Sequence, residues 1–139
     1  MPAAAEGFEG SCFCGKVRYR VTGPLGSMSN CHCTDCRKSH AAAFSTYIEA
    51  PRSAFQWLQG EQNLTTYRAE SGTKRSFCLK CGSIVVCFAD SDPKTIEIAA
   101  STLDTPIDKR PEYHIFVRSK TAWYDIQDGL PQHETYSKK

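Results

Sequence analysis

Three thiols within six residues, Cys31-His32-Cys33-Thr34-Asp35-Cys36, make a trap for a soft metal ion. The chain places no fourth cysteine beside them. Two other pairs, Cys12-Phe13-Cys14 and Cys78-Leu79-Lys80-Cys81, lie far apart in sequence and together supply four more thiols. A glycine follows the last cysteine of each pair, Gly15 and Gly82. That suits a metal knuckle, where the backbone turns sharply and aims N–H groups at thiolate sulfurs. A closed four-thiolate set is the usual structural zinc arrangement, whereas three thiolates leave the position that catalytic zinc keeps open. A thiol or water entering that position would be activated, and a thiol would give up its proton. The competing reading is that Cys87, His32, His40 or His114 closes the central set, which would then be structural as well. Cys87 lies in the apolar run Ile84–Phe88 and reads as a small buried hydrophobe. His32, wedged between two ligands, is expected to point away from the metal.

The rest of the composition frames this chemistry. At 139 residues the chain is read as one domain, 8–139, preceded by a flexible tail, 1–7. A disulfide scaffold would need an export signal. Met1-Pro2-Ala3-Ala4-Ala5-Glu6 offers neither a basic cap nor a long apolar segment, so a cytoplasmic location is expected. The tight cysteine spacings also favour coordination over disulfides. No apolar run approaches the ~18–20 residues of a membrane span, so no membrane partner is expected. The formal net charge of +2 is small, and seven ligand thiolates with two zinc ions would bring it slightly below zero. Such a balance argues against nucleic acid as a partner.

The elements that must hold the cysteines are short and β-prone. Lys16–Val21 alternates basic and apolar residues, as a half-buried strand does. Ser27–His32 reads as a strand that delivers the central cluster at its end. Thr34–Lys38 follows as one helical turn with Thr34 as N-cap, which would aim backbone N–H groups at nearby thiolates. Ala43–Ile48, Phe55–Leu58, Leu64–Tyr67, Lys74–Phe77, Ile84–Phe88 and Thr95–Ala99 are further strand candidates, with Pro51, Gly60 and Gly72 between them. Beyond Pro106 the chain is loop-rich. The expected fold is mainly β.

The opening Gly10-Ser11-Cys12-x-Cys14-Gly15, the C-x-C-x-x-C centre followed by Ala43-Phe44, and the C-x-x-C-Gly knuckle occur in a distinctive order. With the tail His114-Ile115-Phe116-Val117-x-Ser119-Lys120, Trp123 and Asp128-Gly129-Leu130-Pro131, they resemble the glutathione-dependent formaldehyde-activating enzyme family, to which centromere protein V is related. The match runs from about Gly10 to about Gln132. The resemblance implies a β-tent type fold of twisted antiparallel sheets around a structural zinc held by Cys12, Cys14, Cys78 and Cys81. It implies a catalytic zinc on Cys31, Cys33 and Cys36, hence two zinc ions per chain; three thiolates at an open site can lose their metal or themselves oxidise. The implied activity is that of a carbon–sulfur lyase joining or separating glutathione and formaldehyde as S-hydroxymethylglutathione. In that reaction His114 is a candidate proton donor, and Arg37 and Lys38, which directly follow the cluster, are the first candidates to anchor glutathione carboxylates, ahead of Arg52 and Arg75. The chain is shorter than the glutathione-specific members, so chemistry on a thiol–aldehyde adduct carries over more firmly than the particular substrate.

Two other classes compete. One is a non-catalytic zinc-stabilised module that binds a protein or nucleic acid partner, which a fourth protein ligand at the central cluster would favour. The other is methionine sulfoxide reduction, which needs a free reactive cysteine and would have only Cys87 left to use.

Overall fold

The computed structural model describes residues 7–137. The tail expected over 1–7 therefore lies, Gly7 apart, outside the described residues. The protein is mainly β, with ten strands and one short α-helix among the described residues. Its chain folds into two compact units, one made of residues 7–26 and 48–107 and the other of 27–47 and 108–137.

In the first unit, β1 (Phe8–Ser11) pairs antiparallel with β2 (Arg18–Val21), and β2 pairs with β5 (Phe55–Gln59). Alternation sets which side chains this small sheet buries: Tyr19 and Val21 are buried, while Arg18 is exposed. Tyr19 stacks on Phe55 at 5.1 Å, Phe55 meets Trp57 edge-on at 4.7 Å, and the Tyr19 hydroxyl bonds the Thr102 hydroxyl at 2.7 Å. Gly10 makes room for this tyrosine, since a Cβ there would stand 2.2 Å from its oxygen. The longer run of antiparallel strands is β6 (Leu64–Arg68), β7 (Thr73–Cys78), β8 (Ile84–Ala89) and β9 (Asp92–Ala99), with β4 (Ser45–Pro51) beside β9. Val85, Val86, Ile96 and Ile98 fill its core. Strand β1 begins just past the expected tail, where the sequence reading assigned no strand.

The second unit carries β3 (Met28–Cys31), the helix α1 (Thr34–His40), the start of β4, and β10 (Tyr113–Ile115). β10 lies parallel to β3, with His114 opposite Asn30 and Ile115 opposite Cys31. The segment 131–135 laces onto β10 in turn: His114 N donates to Pro131 O, His133 N to His114 O, and Phe116 N to Thr135 O. Helix α1 runs two turns rather than one. Its N-cap is Cys33 rather than Thr34, because the Cys33 sulfur accepts from Cys36 N at 3.3 Å. Among the described residues no helix is long and apolar enough to cross a membrane.

Candidate metal centres

The first unit brings Cys12, Cys14, Cys78 and Cys81 together with their sulfurs within 4.8 Å of one another. Each pair sits in a knuckle closed by its glycine. Gly15 N donates to Cys12 O and Gly82 N to Cys78 O, and both glycines adopt positive φ, +81° and +82°. The knuckles turn backbone donors onto sulfur: Val17 N to Cys12, Lys80 N to Cys78 and Cys14 N to Cys81, at 3.3–3.4 Å. Sulfur separations of 3.6 Å (Cys12–Cys14) and 3.9 Å (Cys14–Cys78) are far beyond a disulfide bond. They match the edge, about 3.8 Å, of a tetrahedron with metal–sulfur bonds of about 2.3 Å. The donor set therefore fits a four-thiolate ion. The thiols also divide as crowded acids do. Burial opposes ionisation of Cys81, but the Ser83 hydroxyl and N–H, the Cys14 N–H and Cys12 together bring it down to about 6. Cys14 is pushed up to about 11, its bond from the Lys16 N–H outweighed by desolvation and three neighbouring thiols. Four thiolates at this spacing call for a cation.

The second unit gathers Cys31, Cys33 and Cys36, and no described histidine, cysteine or carboxylate joins them as a fourth donor. Strand β3 delivers Cys31, and the start of α1 supplies Cys33 as cap and Cys36 one turn on. Hydrogen bonding to Cys33 and Cys36, then burial, push the Cys31 thiol far up. Cys36 is raised too: the bond with Cys31 favours its thiolate, but Cys33 and burial outweigh it. The buried Ser45 hydroxyl, which helps the Cys36 thiolate, has no conventional hydrogen-bond partner. Three crowded, desolvated thiols with spare donors around them fit a cation as well, and their own set leaves it one ligand short.

A family model described as glutathione-dependent formaldehyde-activating enzyme matches residues 7–119. The chain belongs to the glutathione-dependent formaldehyde-activating enzyme family. A Halomonas elongata protein named "Putative glutathione-dependent formaldehyde-activating enzyme" is 30% identical over 126 residues, covering 86% of this chain and 80% of its own. A crystal structure of a Rhodobacter sphaeroides protein superimposes with a TM-score of 0.60 at 25% identity, over 72% of this chain and 91% of that one.

In this family member the other candidate residues are distributed as follows. Arg37 and Lys38 share α1 with Cys36. Arg37 is half-buried, with Nη2 on the Thr34 hydroxyl at 3.4 Å and Nε without a hydrogen-bond partner, and Lys38 is exposed. Arg52 and Arg75 lie in the first unit with the four-cysteine group. Arg52 sits 4.8 Å over the Phe88 ring, and Arg75 is buried opposite Cys87. Cys87 itself belongs to neither cysteine group.

His114 is 1% exposed, and both its ring nitrogens are engaged. Nδ1 meets His32 Nε2 at 2.8 Å, and Nε2 meets the Asp128 carboxylate at 2.9 Å. The sequence reading weighed His32 only as a fourth ligand for the central cluster, expecting it to point away from the metal, and gave Asp128 no role beyond the tail motif. His32 is fully buried and packs 5.0 Å from the Phe44 ring, which also meets Tyr124. Burial, then the positive fields of His114, Lys120 and Arg37, lower its pKa to about 4, with Asp128 opposing.

Proposed function

We propose that the protein is a zinc-dependent carbon–sulfur lyase that joins a thiol to an aldehyde or separates them, with glutathione and formaldehyde as the substrates. The observation that carries this reading is the three-cysteine group with no fourth donor among the described residues, in a member of a family named for glutathione and formaldehyde. Cys12, Cys14, Cys78 and Cys81 would hold a structural zinc and Cys31, Cys33 and Cys36 a catalytic one. Zinc bound at the central cluster supplies Lewis-acid chemistry that keeps a substrate thiol in its ionised, nucleophilic form at neutral pH.

The overall reaction balances as the thiol sulfur bonding the aldehyde carbon while the carbonyl π bond breaks, the thiol proton ending on the new hydroxyl. The reverse breaks the carbon–sulfur bond and returns the proton to sulfur. Around this exchange the chain's own groups have separate tasks. The Cys36 N–H, donating to the Cys33 sulfur, steadies negative charge on that ligand. Phe44, whose ring lies 5.0 Å from the His32 ring and 5.6 Å from the Tyr124 ring, would supply apolar packing beside that histidine. The unpartnered Arg37 Nε, with Lys38 one residue on, would bind a glutathione carboxylate. His114 serves the site through His32, both its nitrogens being committed within the protein. A cytoplasmic setting is part of the proposal.

The test is the exchange rate between glutathione plus formaldehyde and S-hydroxymethylglutathione, followed by NMR with zinc-loaded protein. Acceleration that disappears in Cys33→Ser is expected. No acceleration at two zinc ions per chain would rule out this substrate pair.

A further inference from the structure

Asp128, His114 and His32 form a hydrogen-bonded line from the surface to the residue between two cluster cysteines. The Asp128 carboxylate is tied at both oxygens, Oδ1 to the Leu130 N–H at 3.0 Å and Oδ2 to His114 Nε2 at 2.9 Å. Its pKa lies below the ordinary carboxylate value because the Leu130 N–H and His114 both favour the charged form. A carboxylate only accepts, so His114 must carry its proton on Nε2. A neutral His114 then presents a lone pair at Nδ1, 2.8 Å from His32 Nε2, and His32 must donate there. That leaves His32 Nδ1 as an acceptor, and Nδ1 is the buried ring atom with no hydrogen-bond partner among the described residues. With His114 neutral, the line has one proton arrangement from end to end.

The backbone repeats this fixation. His32 N donates to Ile115 O at 3.0 Å, and β10 holds His114 in parallel register with β3. Ring and main chain of His32 are therefore both held by one segment, and His32 is the residue from which Cys31 and Cys33 extend.

We propose that Asp128 and His114 are positioning residues for the three-cysteine cluster, holding His32 in a single tautomer and ring orientation and so fixing where its two flanking sulfurs point. This rests on the proposed function only for its effect on rate. An outer partner of this kind, acting through a histidine on a metal site, is worth about 10–100-fold in metal affinity or activity. The carboxamide of Asp128→Asn can donate as well as accept, so the proton arrangement would no longer be imposed.

The test uses zinc-loaded protein labelled with ¹⁵N at histidine, in wild type and Asp128→Asn, an exposed and nearly isosteric change. Long-range ¹H–¹⁵N spectra of the wild type are expected to show His114 and His32 protonated at Nε2 alone, with a pyridine-like His32 Nδ1. In Asp128→Asn the His32 pattern is expected to change. The more readily lost zinc should then pass to a chelator about 10–100-fold more easily, and exchange should slow by a similar factor. A wild-type His32 protonated at Nδ1 would overturn the proposal, as would an Asp128→Asn protein with unaltered His32 signals and zinc retention. If the wild type fails to accelerate exchange at all, the lyase reading falls, and the histidine spectra and zinc retention still decide this inference on their own.

Discussion

At the scale of single residues the cysteine knuckles follow from local chemistry that a reader of the chain can see. Gly15 and Gly82 adopt the left-handed backbone expected of a glycine straight behind a metal-type cysteine. Nothing lies within 4 Å of the point where a Cβ on Gly82 would stand, so Gly82→Ala would cost only the backbone strain, about 1–2 kcal/mol, measurable by urea unfolding. Tyr19 gives a residue-level pH dependence remote from the cysteines. Burial first, with Asp104 adding and the Thr102 bond opposing, raises its pKa far above the ordinary phenol value. The unfolded chain therefore releases this proton from about pH 10 while the folded chain keeps it. By linkage, the contribution is intact below about pH 10 and is lost as pH rises beyond it. Tyr19→Phe should flatten that alkaline decline in thermal unfolding, at a cost near neutrality of about 0.5–1.5 kcal/mol for the Thr102 bond. The sequence marked Tyr19 as inward-facing by alternation, but the phenol's partner 83 residues away was invisible to it.

Among the elements, those with a repeating pattern were legible and those defined by a distant partner were not. β2, β5 and the β6 to β9 run fall on stretches whose alternation or apolar character announced strands. β1 and β10 are four and three residues long, too short for a period to show, and exist because Val21 and Ser29 lie opposite to accept them. Helix α1 was foreseen from its start, but its cap was misassigned because thiols are seldom weighed as caps beside threonine. The same helix ends at Ala41 with φ 52°, a conformation better suited to glycine. Ala41→Gly, at an exposed position, is expected to stabilise the protein by about 1 kcal/mol in chemical denaturation. No change, or a loss, would mean that helix ending is less constrained than its backbone suggests.

For the whole molecule, the division of cysteines four and three was legible from spacing and flanking glycines. The polar line behind the smaller group was not, because it joins positions 32, 114 and 128 through pairing that no local pattern encodes. The two groups should answer differently to mutation. Cys81→Ser removes one of four thiols from the closed set and should lower the melting temperature steeply, since a structural zinc is worth on the order of 10 kcal/mol. Cys33→Ser should leave the melting temperature close to wild type, because serine is itself a good N-cap for α1 and the closed set is untouched. Equal losses in the two variants would contradict that partition. The most direct measurement is of whether the three-cysteine group takes a thiol from outside. Cobalt(II)-loaded protein titrated with glutathione should gain sulfur-to-metal charge-transfer absorbance that saturates at one glutathione per chain, and Cys33→Ser should abolish the gain. An unchanged spectrum, or a gain that persists in Cys33→Ser, would show that the cluster is not where the substrate thiol binds.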